Sequence, residues 1–336
     1  MRRKKMKKIN PRKFDLVYFL IFAILLLFLI FLSINLGSIK VDLKQLIRGL
    51  FFEYDESVSI VYDLRFPRII ISVMAGAGIA VSGVLFQSVL KNPLADPGII
   101  GINSSSSFFA VMIAAFFPKL YLMTPIFASI GGIIAFFIVY LLSWKFSFSP
   151  ISIVLIGVAI STMFSGLSSA INFATGSSMN GVASIVNGNI TMKTWDDVNI
   201  LIPYIFIGIF LAIFCSKICN LMFLEDKVIR SLGINVSLNR IMISVIATIL
   251  ASSSTAIVGS IGFLGLIVPH ISKIFIGEDH RKLIPFSMIL GAITFLLADT
   301  LGRTIFYPYE IPASVIMGIV GGPFFIFILR KGINYE

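Results

Sequence analysis

Charged residues are scarce in this sequence. They make up 13% of its 336 residues, while hydrophobic residues make up 57%. Soluble globular chains carry about 25% charged residues, whereas this chain repeats long apolar runs of the length that crosses a bilayer. The composition therefore excludes a soluble protein and predicts a single integral membrane domain over 1–336.

Cysteine and histidine are scarce as well, with two of each. Cys215 and Cys219 lie four residues apart on one face of an apolar helix, which excludes a disulfide framework and a paired-cysteine metal site. The sequence has no metalloprotease spacing, no G-x-S-x-G elbow and no G-x-x-x-x-G-K-[ST] phosphate loop. We therefore predict no catalytic residue, no metal site and no ATP site. His270 is expected to be hydrogen-bonded at a helix end, and His280 to be solvated in a charged turn.

The net charge of +11 is unevenly distributed. Eight basic residues fall within the first thirteen positions, directly before the apolar run 16–32. Basic residues beside a span hold that end in the cytosol, so the charge indicates topology rather than a nucleic-acid site. The run is long for a secretory signal, and no small-residue cleavage site follows it. We predict that 1–15 is a cytosolic segment.

Ten membrane-spanning helices are predicted, of which the eighth is short and rich in glycine and proline. With the N-terminus inside, 19 of the 27 lysines and arginines face the cytosol and eight face outwards, as the positive-inside rule requires. The predicted fold class is an all-α integral membrane protein with both termini cytosolic. The predicted spans are 16–34, 69–90, 99–117, 122–143, 152–174, 200–219, 241–260, 263–276, 284–301 and 312–329.

The stretch from Ser82 to Gly101, SGVLFQSVLKNPLADPGIIG, separates two apolar helices with Pro93 and Pro97. Proline removes a backbone donor and pushes the preceding residue away from helical angles. Broken backbone at membrane depth persists only where protein buries it or water reaches it, and such breaks are common at transport paths and gates. Gln87, one turn before the break, either lines such a path or packs.

Arginines mark two outer segments, LRFPR (64–68) and GRTIFYPYEIP (302–312). They either anchor the chain at the lipid interface or form a docking surface for an acidic partner, because arginine pairs bidentately with carboxylates. Asp299 is the one carboxylate inside a predicted span. We expect it to pair with Arg303, one helical turn away, and favour this structural role over a proton relay.

The segment 221–240 is too polar to span and is predicted to lie in the cytosol. It is expected to form a short helix over 224–232, ended by Gly233. Its apolar residues at i, i+4 and i+8 share one edge, which suits contact with the membrane or with another protein.

Six stretches, in order, resemble the FecCD family of ABC-transporter permeases, which import iron–siderophore complexes, haem and vitamin B12. The resemblance covers nearly the whole chain and implies the type II ABC importer permease architecture. The loop NGNITMKTWDDV (187–198) lacks the Gly-Ser pair that often precedes the tryptophan, and is closer to haem permeases of Gram-positive bacteria. The stretches are LRFPR (64–68), GAGIAVSGVLFQSVLKNPLADPGIIG (76–101), IVGSIGFLGLIVPHISK (257–273), GEDHRKLIPFSMILGA (277–292), LADTLGR (297–303) and EIPASVIMGIVGGPFFIFIL (310–329).

The resemblance implies three groups of site residues: arginines that dock a substrate-binding protein, a cytoplasmic gate, and a segment that couples the permease to ATPase subunits. The docking residues are Arg65, Arg68 and Arg303; the gate residues are Asn92, Pro93 and Leu94; the coupling residues are Leu224, Glu225, Asp226, Val228, Leu232 and Gly233.

The resemblance also implies a location and partners. The chain would lie in the bacterial cytoplasmic membrane, bind no cofactor, and move a siderophore or haem, with vitamin B12 as the alternative. Its partners would be cytosolic ABC ATPase subunits that use ATP and Mg, an extracytoplasmic substrate-binding protein, and a second permease subunit that is identical or a paralogue. It would contact membrane lipid and no nucleic acid. A proton-coupled transporter and an intramembrane enzyme using Asp299 or His270 are the other hypotheses.

Overall fold

The computed structural model describes residues 11–36, 41–52, 54–145, 150–175 and 180–333, and these ranges contain helices and no β-strand. The first ten residues of the predicted basic segment lie outside the described residues.

The described ranges form fourteen α-helices and one 3-10 helix, Pro118–Met123. The α-helices are α1 (Pro11–Asn35), α2 (Leu43–Phe51), α3 (Glu56–Leu64), α4 (Phe66–Leu90), α5 (Ile102–Phe116), α6 (Thr124–Lys145), α7 (Pro150–Ala174), α8 (Asn180–Asn187), α9 (Trp195–Leu221), α10 (Asp226–Ser231), α11 (Val236–Val258), α12 (Leu264–Ile276), α13 (His280–Thr304) and α14 (Ala313–Ile333).

The predicted spans coincide with ten of these helices, which confirms the all-α membrane architecture. Among the described residues, seven helical segments are long and apolar enough to cross a membrane. Three shorter apolar helices, Ile102–Phe116, Leu264–Ile276 and Ala313–Ile328, lie at the third, eighth and tenth predicted spans. The helix α12 has 13 residues and is therefore about 20 Å long at 1.5 Å per residue, so the prediction of a short eighth element is confirmed.

The prediction was wrong where helices are short. It missed α2, α3 and α8, which have nine, nine and eight residues, because short helices do not produce a long apolar run. The predicted helix 224–232 is also shorter in the structure, where α10 covers only Asp226–Ser231.

The helix α4 lies at the centre of the bundle and packs against α9, α11, α12 and α13. A Cβ atom added to Gly83 would lie 1.9 Å from the carbonyl oxygen of Gly265 on α12. A Cβ added to Gly76 would lie 2.5 Å from the carbonyl oxygen of Gly291 on α13. Glycines thus allow the helix backbones to touch, as close helix packing in a membrane requires.

The course of α4 defines two ends of the bundle. Its first turn carries Arg68 next to the end of α13, and we call this end the arginine end. Its last turn precedes the turn 92–94 and lies beside the end of α9, where the Ser88 hydroxyl donates to the Cys219 carbonyl at 3.0 Å. We call this second end the gate end.

The contact between α4 and α12 predicts a stability effect. Replacing Gly83→Ala forces a methyl group onto a backbone oxygen that cannot rotate away, so we expect a loss of at least about 1–3 kcal/mol, the usual cost of overpacking. Thermal unfolding of the purified protein in detergent measures the loss. Gly318→Ala on α14 is the matched control, because nothing lies within 4 Å of its added Cβ. Equal stability of the two variants would contradict the close contact.

Candidate functional site

A cavity of about 900 Å³ opens at the arginine end. It is formed where the start of α4, the end of α13 and the loops before α9 and α14 meet. Its charged lining is mostly basic. The lining residues are Leu36, Asp63, Leu64, Arg65, Arg68, Thr191, Met192, Lys193, Thr194, Arg303, Thr304, Tyr307 and Glu310.

Arg68 is buried at the base of this cavity, where two carboxylates bind its guanidinium group. Its Nε atom lies 3.0 Å from both carboxylate oxygens of Asp299, and its Nη2 atom donates to Asp299 Oδ1 at 2.8 Å. Its Nη1 atom donates to Glu310 Oε2 at 2.8 Å. The exposed fractions of Arg68 and Asp299 are 7% and 1%, so this is a buried, bidentate ion pair.

The prediction that Asp299 pairs with Arg303 was wrong. Asp299 pairs with Arg68 because α4 and α13 touch at Gly76 and Gly291, which brings the start of α4 against the end of α13. The spacing of four residues within α13 favours a pair on an isolated helix, but the bidentate contact from the neighbouring helix is the stronger one.

Arg65 and Arg303 bind the C-terminal end of α1. The Nη1 atom of Arg65 donates to the carbonyl of Ile34 at 2.5 Å. The Nη2 atom of Arg303 donates to the carbonyl of Ser33 at 2.5 Å and also to its hydroxyl, and Nη1 lies 3.5 Å from the carbonyl of Leu36. The last carbonyls of a helix have no partner within it and form the negative end of its dipole. The two guanidinium groups therefore cap α1.

Glu310 completes the charged lining. It accepts from Arg68 and from the hydroxyl of Thr191, which lies 2.7 Å from Oε2. Burial raises the pKa of Glu310, but the Thr191 hydrogen bond and the positive charge of Arg68 outweigh burial and lower the pKa below its usual value. The carboxylate is therefore charged at neutral pH. Arg65 and Arg303 are half-buried and line the cavity, whereas Arg68 is enclosed by its two partners.

The turn 92–95 at the gate end is fixed by its own hydrogen bonds. The side-chain Oδ1 atom of Asn92 accepts from the backbone N–H of Leu94 at 2.9 Å. The backbone carbonyl of Asn92 accepts from the N–H of Ala95 at 3.1 Å. Such a side-chain turn is typical of asparagine before proline. Gln87 packs, because it is 2% exposed and its Oε1 atom accepts from the ammonium of Lys273 at 2.9 Å.

Asp96 is buried between this loop and the start of α12, a position that the sequence analysis missed. It is 1% exposed, and its Oδ1 atom accepts from the N–H of Gly98 at 2.7 Å and of Ile99 at 3.3 Å. Its Oδ2 atom lies beside Gly265, 2.8 Å from where a Cβ would stand. A carboxylate is favourable at a helix N-terminus. The signal was the sequence Asp-Pro-Gly in an apolar region, since aspartate accepts from the backbone N–H two residues on.

The coupling segment 221–240 presents apolar side chains on the protein surface. Leu224, Val228 and Leu232 are 41%, 45% and 58% exposed, so the predicted apolar edge exists and lies at the surface. Gly233 follows with a φ of +77°, a left-handed conformation that glycine adopts without strain.

Asp226 lies at the start of α10 and binds two cations. It accepts from the ammonium of Lys91 at 3.0 Å and from Nη2 of Arg240 at 2.8 Å. Burial raises its pKa, but the hydrogen bond from Lys91 and the charge of Arg240 outweigh burial and lower the pKa below the usual value. Asp226 is therefore fully ionised at neutral pH, and its contact with Lys91 joins the coupling segment to the gate end of α4.

His280 and the two cysteines are buried inside the protein. His280 is buried rather than solvated as expected, because its Nδ1 atom lies 2.8 Å from Asn220 Oδ1 and its ring packs on Phe223. Cys215 and Cys219 are buried in α9. Among the described residues, no group of three His, Cys, Asp or Glu side chains is placed to hold a metal ion.

Ten apolar helices, a basic cavity at one end and a proline-containing turn joined to an exposed surface segment at the other are the features of a multi-pass transport permease. The chain belongs to the FecCD transport family, which it matches over residues 25–331.

Relatives with curated descriptions support this class. The chain is 40% identical to the "Probable heme-iron transport system permease protein IsdF" of Staphylococcus aureus strain MSSA476, over 93% of this chain and 94% of that protein. It is 39% identical to the protein of the same description in strain bovine RF122 / ET3-1, over the same shares.

Solved structures agree on the fold. A chain of a metal-chelate type ABC transporter in an inward-facing conformation is 27% identical, with a TM-score of 0.79, over 94% of this chain and 99% of that one. PsaBC from Streptococcus pneumoniae, solved with a Fab, is similar in fold, with a TM-score of 0.56 at 16% identity over 85% of this chain and 95% of that one. The chain is therefore an ABC-transporter permease of the cytoplasmic membrane.

The buried ion pair predicts a large asymmetry between single and double variants. Arg68→Met leaves Asp299 charged and buried without its partner, which costs about 3–5 kcal/mol. Arg68→Met with Asp299→Leu removes both charges, so we expect most of that loss to be recovered. Thermal unfolding in detergent measures both. A single variant as stable as the unmodified protein would rule out the pair as a structural element.

Proposed function

We propose that this chain is the membrane-spanning subunit of an ABC importer that carries an iron complex into the cytosol, with haem as the first candidate. The observation that carries the proposal is the 40% identity to the haem-iron permease IsdF over 93% of the chain. The 27% identity to a metal-chelate type transporter over nearly the whole chain supports the same class of cargo.

The gate end faces the cytosol in this proposal. The basic residues concentrate on that side, with 19 of 27 lysines and arginines assigned to it, as the positive-inside rule favours. The N-terminus and the C-terminus then both lie in the cytosol, and the arginine end faces outwards.

The coupling segment receives the ATPase subunits. Its exposed apolar edge of Leu224, Val228 and Leu232 lies beside the charged residues Glu225 and Asp226. A short amphipathic element that is anchored in the bundle by the buried Ile229 and exposes an apolar edge suits insertion into a groove of a partner protein. ATP and Mg belong to that partner, and the chain itself needs no cofactor.

The arginine cavity receives the substrate-binding protein. Arg65 and Arg303 are half-buried and line the cavity, and Arg303 donates to carbonyl oxygens at the end of α1. A carboxylate from a partner makes a stronger, charge-assisted bond with a guanidinium group than a neutral carbonyl does. Arg68 supports the base of the cavity, since Asp299 and Glu310 already occupy its donors.

A second permease subunit packs along α7. The surface of this helix exposes Ser165, Gly166 and Ser169 among larger apolar residues, and nothing lies within 4 Å of a Cβ added to Gly166. Small residues on a helix face allow close approach of another helix in lipid. The second subunit is the same chain or a paralogue.

The arrangement of Asp299 disfavours the two other hypotheses. A proton relay or a general acid needs a carboxyl group that gains and loses a proton. Asp299 is 1% exposed, and both of its carboxylate oxygens accept from Arg68, so neither oxygen is open to a substrate or to a second proton carrier. An ABC importer requires no such group in its permease.

Uptake in proteoliposomes tests the proposed function. The chain is reconstituted with its ATPase and binding-protein partners, and uptake of haem, a ferric siderophore and vitamin B12 is compared with ATP or with a proton gradient. We expect ATP-dependent uptake of the iron complexes, with haem preferred. Uptake driven by the proton gradient without ATP would overturn the proposal, and a preference for vitamin B12 would overturn the cargo assignment.

Binding-protein affinity tests the docking surface. Arg65→Glu with Arg303→Glu reverses two charges at the cavity, so we expect weaker binding of an acidic partner and a smaller dependence of affinity on salt. Binding of the purified partner is measured at two salt concentrations. Lys119→Glu is the control, because this exposed lysine lies at the same end but outside the cavity lining. Equal affinity of the double variant and the control would remove the docking assignment.

A further inference from the structure

Lys91 ends α4 in an unusual backbone conformation. Its φ and ψ are 49° and 35°, in the left-handed region that residues other than glycine and asparagine rarely adopt. Glycine is the usual residue at this position after a helix. Backbone strain of this kind persists only where the surroundings hold it, and it concentrates at functional sites, so the side chain of Lys91 is the feature to explain.

The ammonium group of Lys91 is fastened to the coupling segment. It donates to the carbonyl oxygen of Leu224 at 2.5 Å and to Oδ1 of Asp226 at 3.0 Å. The same Oδ1 atom accepts from Arg240, in the first turns of α11, at 2.8 Å. A single carboxylate thus joins the end of α4, the coupling helix α10 and the start of α11.

The gate turn follows Lys91 without a flexible joint. Asn92 is the next residue, and its side chain and carbonyl fix the N–H groups of Leu94 and Ala95. Pro93 further limits the backbone because its ring fixes φ. A displacement of the Lys91 backbone therefore moves the turn as a unit.

Stability alone does not account for this contact. The side chains of Lys91 and Asp226 are 31% and 36% exposed, and ion pairs so accessible to water add little to folding stability. The ends of α4 and α9 are already joined in the interior by the hydrogen bond between Ser88 and Cys219. The lysine contact is thus an additional, surface connection between two elements that the proposed function requires to move together.

We propose that Lys91 is the positioning residue that transmits displacement of the coupling segment to the gate turn 92–94, through its bonds to Leu224 and Asp226. This inference rests on the proposed function, because it assumes that ATPase subunits move the segment 221–240. Asp226 is the shared anchor, and Arg240 holds that anchor to the start of α11.

The test uses the assembled importer in proteoliposomes and a thiol reporter in the gate. Every variant carries Leu94→Cys, and its modification by a soluble maleimide is measured with and without ATP, alongside ATP hydrolysis and haem uptake. The native cysteines at 215 and 219 are buried, and the protein without the reporter gives their background. The variants are Lys91→Met, Asp226→Asn, both together, and Lys91→Arg as the conservative replacement.

Lys91→Met is expected to lower uptake about tenfold, the size of effect that a single coupling contact carries, while ATP hydrolysis continues. Modification of the reporter then no longer depends on ATP. The double variant is expected to be no worse than the single ones, since both remove the same contact, and Lys91→Arg to restore uptake. ATP-dependent modification and full uptake in Lys91→Met would overturn the inference.

Two further variants distinguish a role of Lys91 in transmitting displacement from a role in stabilising the fold. Lys91→Gly removes the side chain and relieves the left-handed strain, so we expect a melting temperature no lower than that of the unmodified protein, together with lost coupling. Preserved coupling in Lys91→Gly would overturn the inference. Lys282→Met breaks another ion pair, with Asp15 at 2.6 Å, and is expected to leave uptake and reporter modification unchanged; an equal loss there would also overturn it.

The unmodified importer distinguishes failure of the link from failure of the function. If the unmodified importer shows ATP-driven uptake, and the importer with Leu94→Cys alone keeps that uptake and shows ATP-dependent modification, the Lys91 variants decide the inference alone. If it shows no ATP-driven uptake, the proposed function fails, and the inference that depends on it is overturned with it.

Discussion

The contact of glycine against backbone along α4 is the constraint on which the other features depend. Gly76 meets the carbonyl of Gly291, and Gly83 meets that of Gly265. Lipid offers no hydrophobic force to drive helices together, so close packing of small residues has to hold them. Because α4 is fixed against α13 and α12 in this way, its first turn brings Arg68 to Asp299, and its last residues bring the gate turn to the coupling segment.

The arginine end shows how positive charge is tolerated beside a membrane. Arg68 is neutralised by two carboxylates, whereas Arg65 and Arg303 bind the carbonyl end of α1. The two arrangements differ in the charge that they offer, because a carboxylate carries a full negative charge and the C-terminal end of a helix carries only a partial one. In the proposed importer, a docking partner that brings carboxylates would compete with the carbonyl groups of α1 for the two arginines that bind them, and would find the donors of Arg68 already occupied.

Hydropathy predicted most of the fold, because each span is a local run of apolar residues. The ten spans came from such runs, and the break after Leu90 came from Pro93 and Pro97. The ion-pair partner of a buried side chain was harder to predict, as Asp299 shows. Its spacing of one helical turn from Arg303 predicted that pair, but the packing of α4 against α13 brings Arg68 to it instead. His280 was assigned to solvent from its charged neighbours, yet its ring turns inward against Asn220. Both errors concern tertiary contacts that no local pattern encodes.

The gate end combines rigid parts with a weak connection, and this division suits a moving element. Asp96 is 1% exposed and lies against the start of α12, and its Oδ1 atom accepts from Gly98 and Ile99 within the loop, so this side of the loop is packed in the interior. The side chains of Lys91 and Asp226 are 31% and 36% exposed, and water can replace their ion pair at little cost. A permanent joint at both sides would hold the turn 92–94 in one position. In the proposed importer, a packed contact on one side and an exchangeable ion pair on the other would allow the turn two positions, and an ATPase that moves the coupling segment would shift a balance of only a few kcal/mol between them.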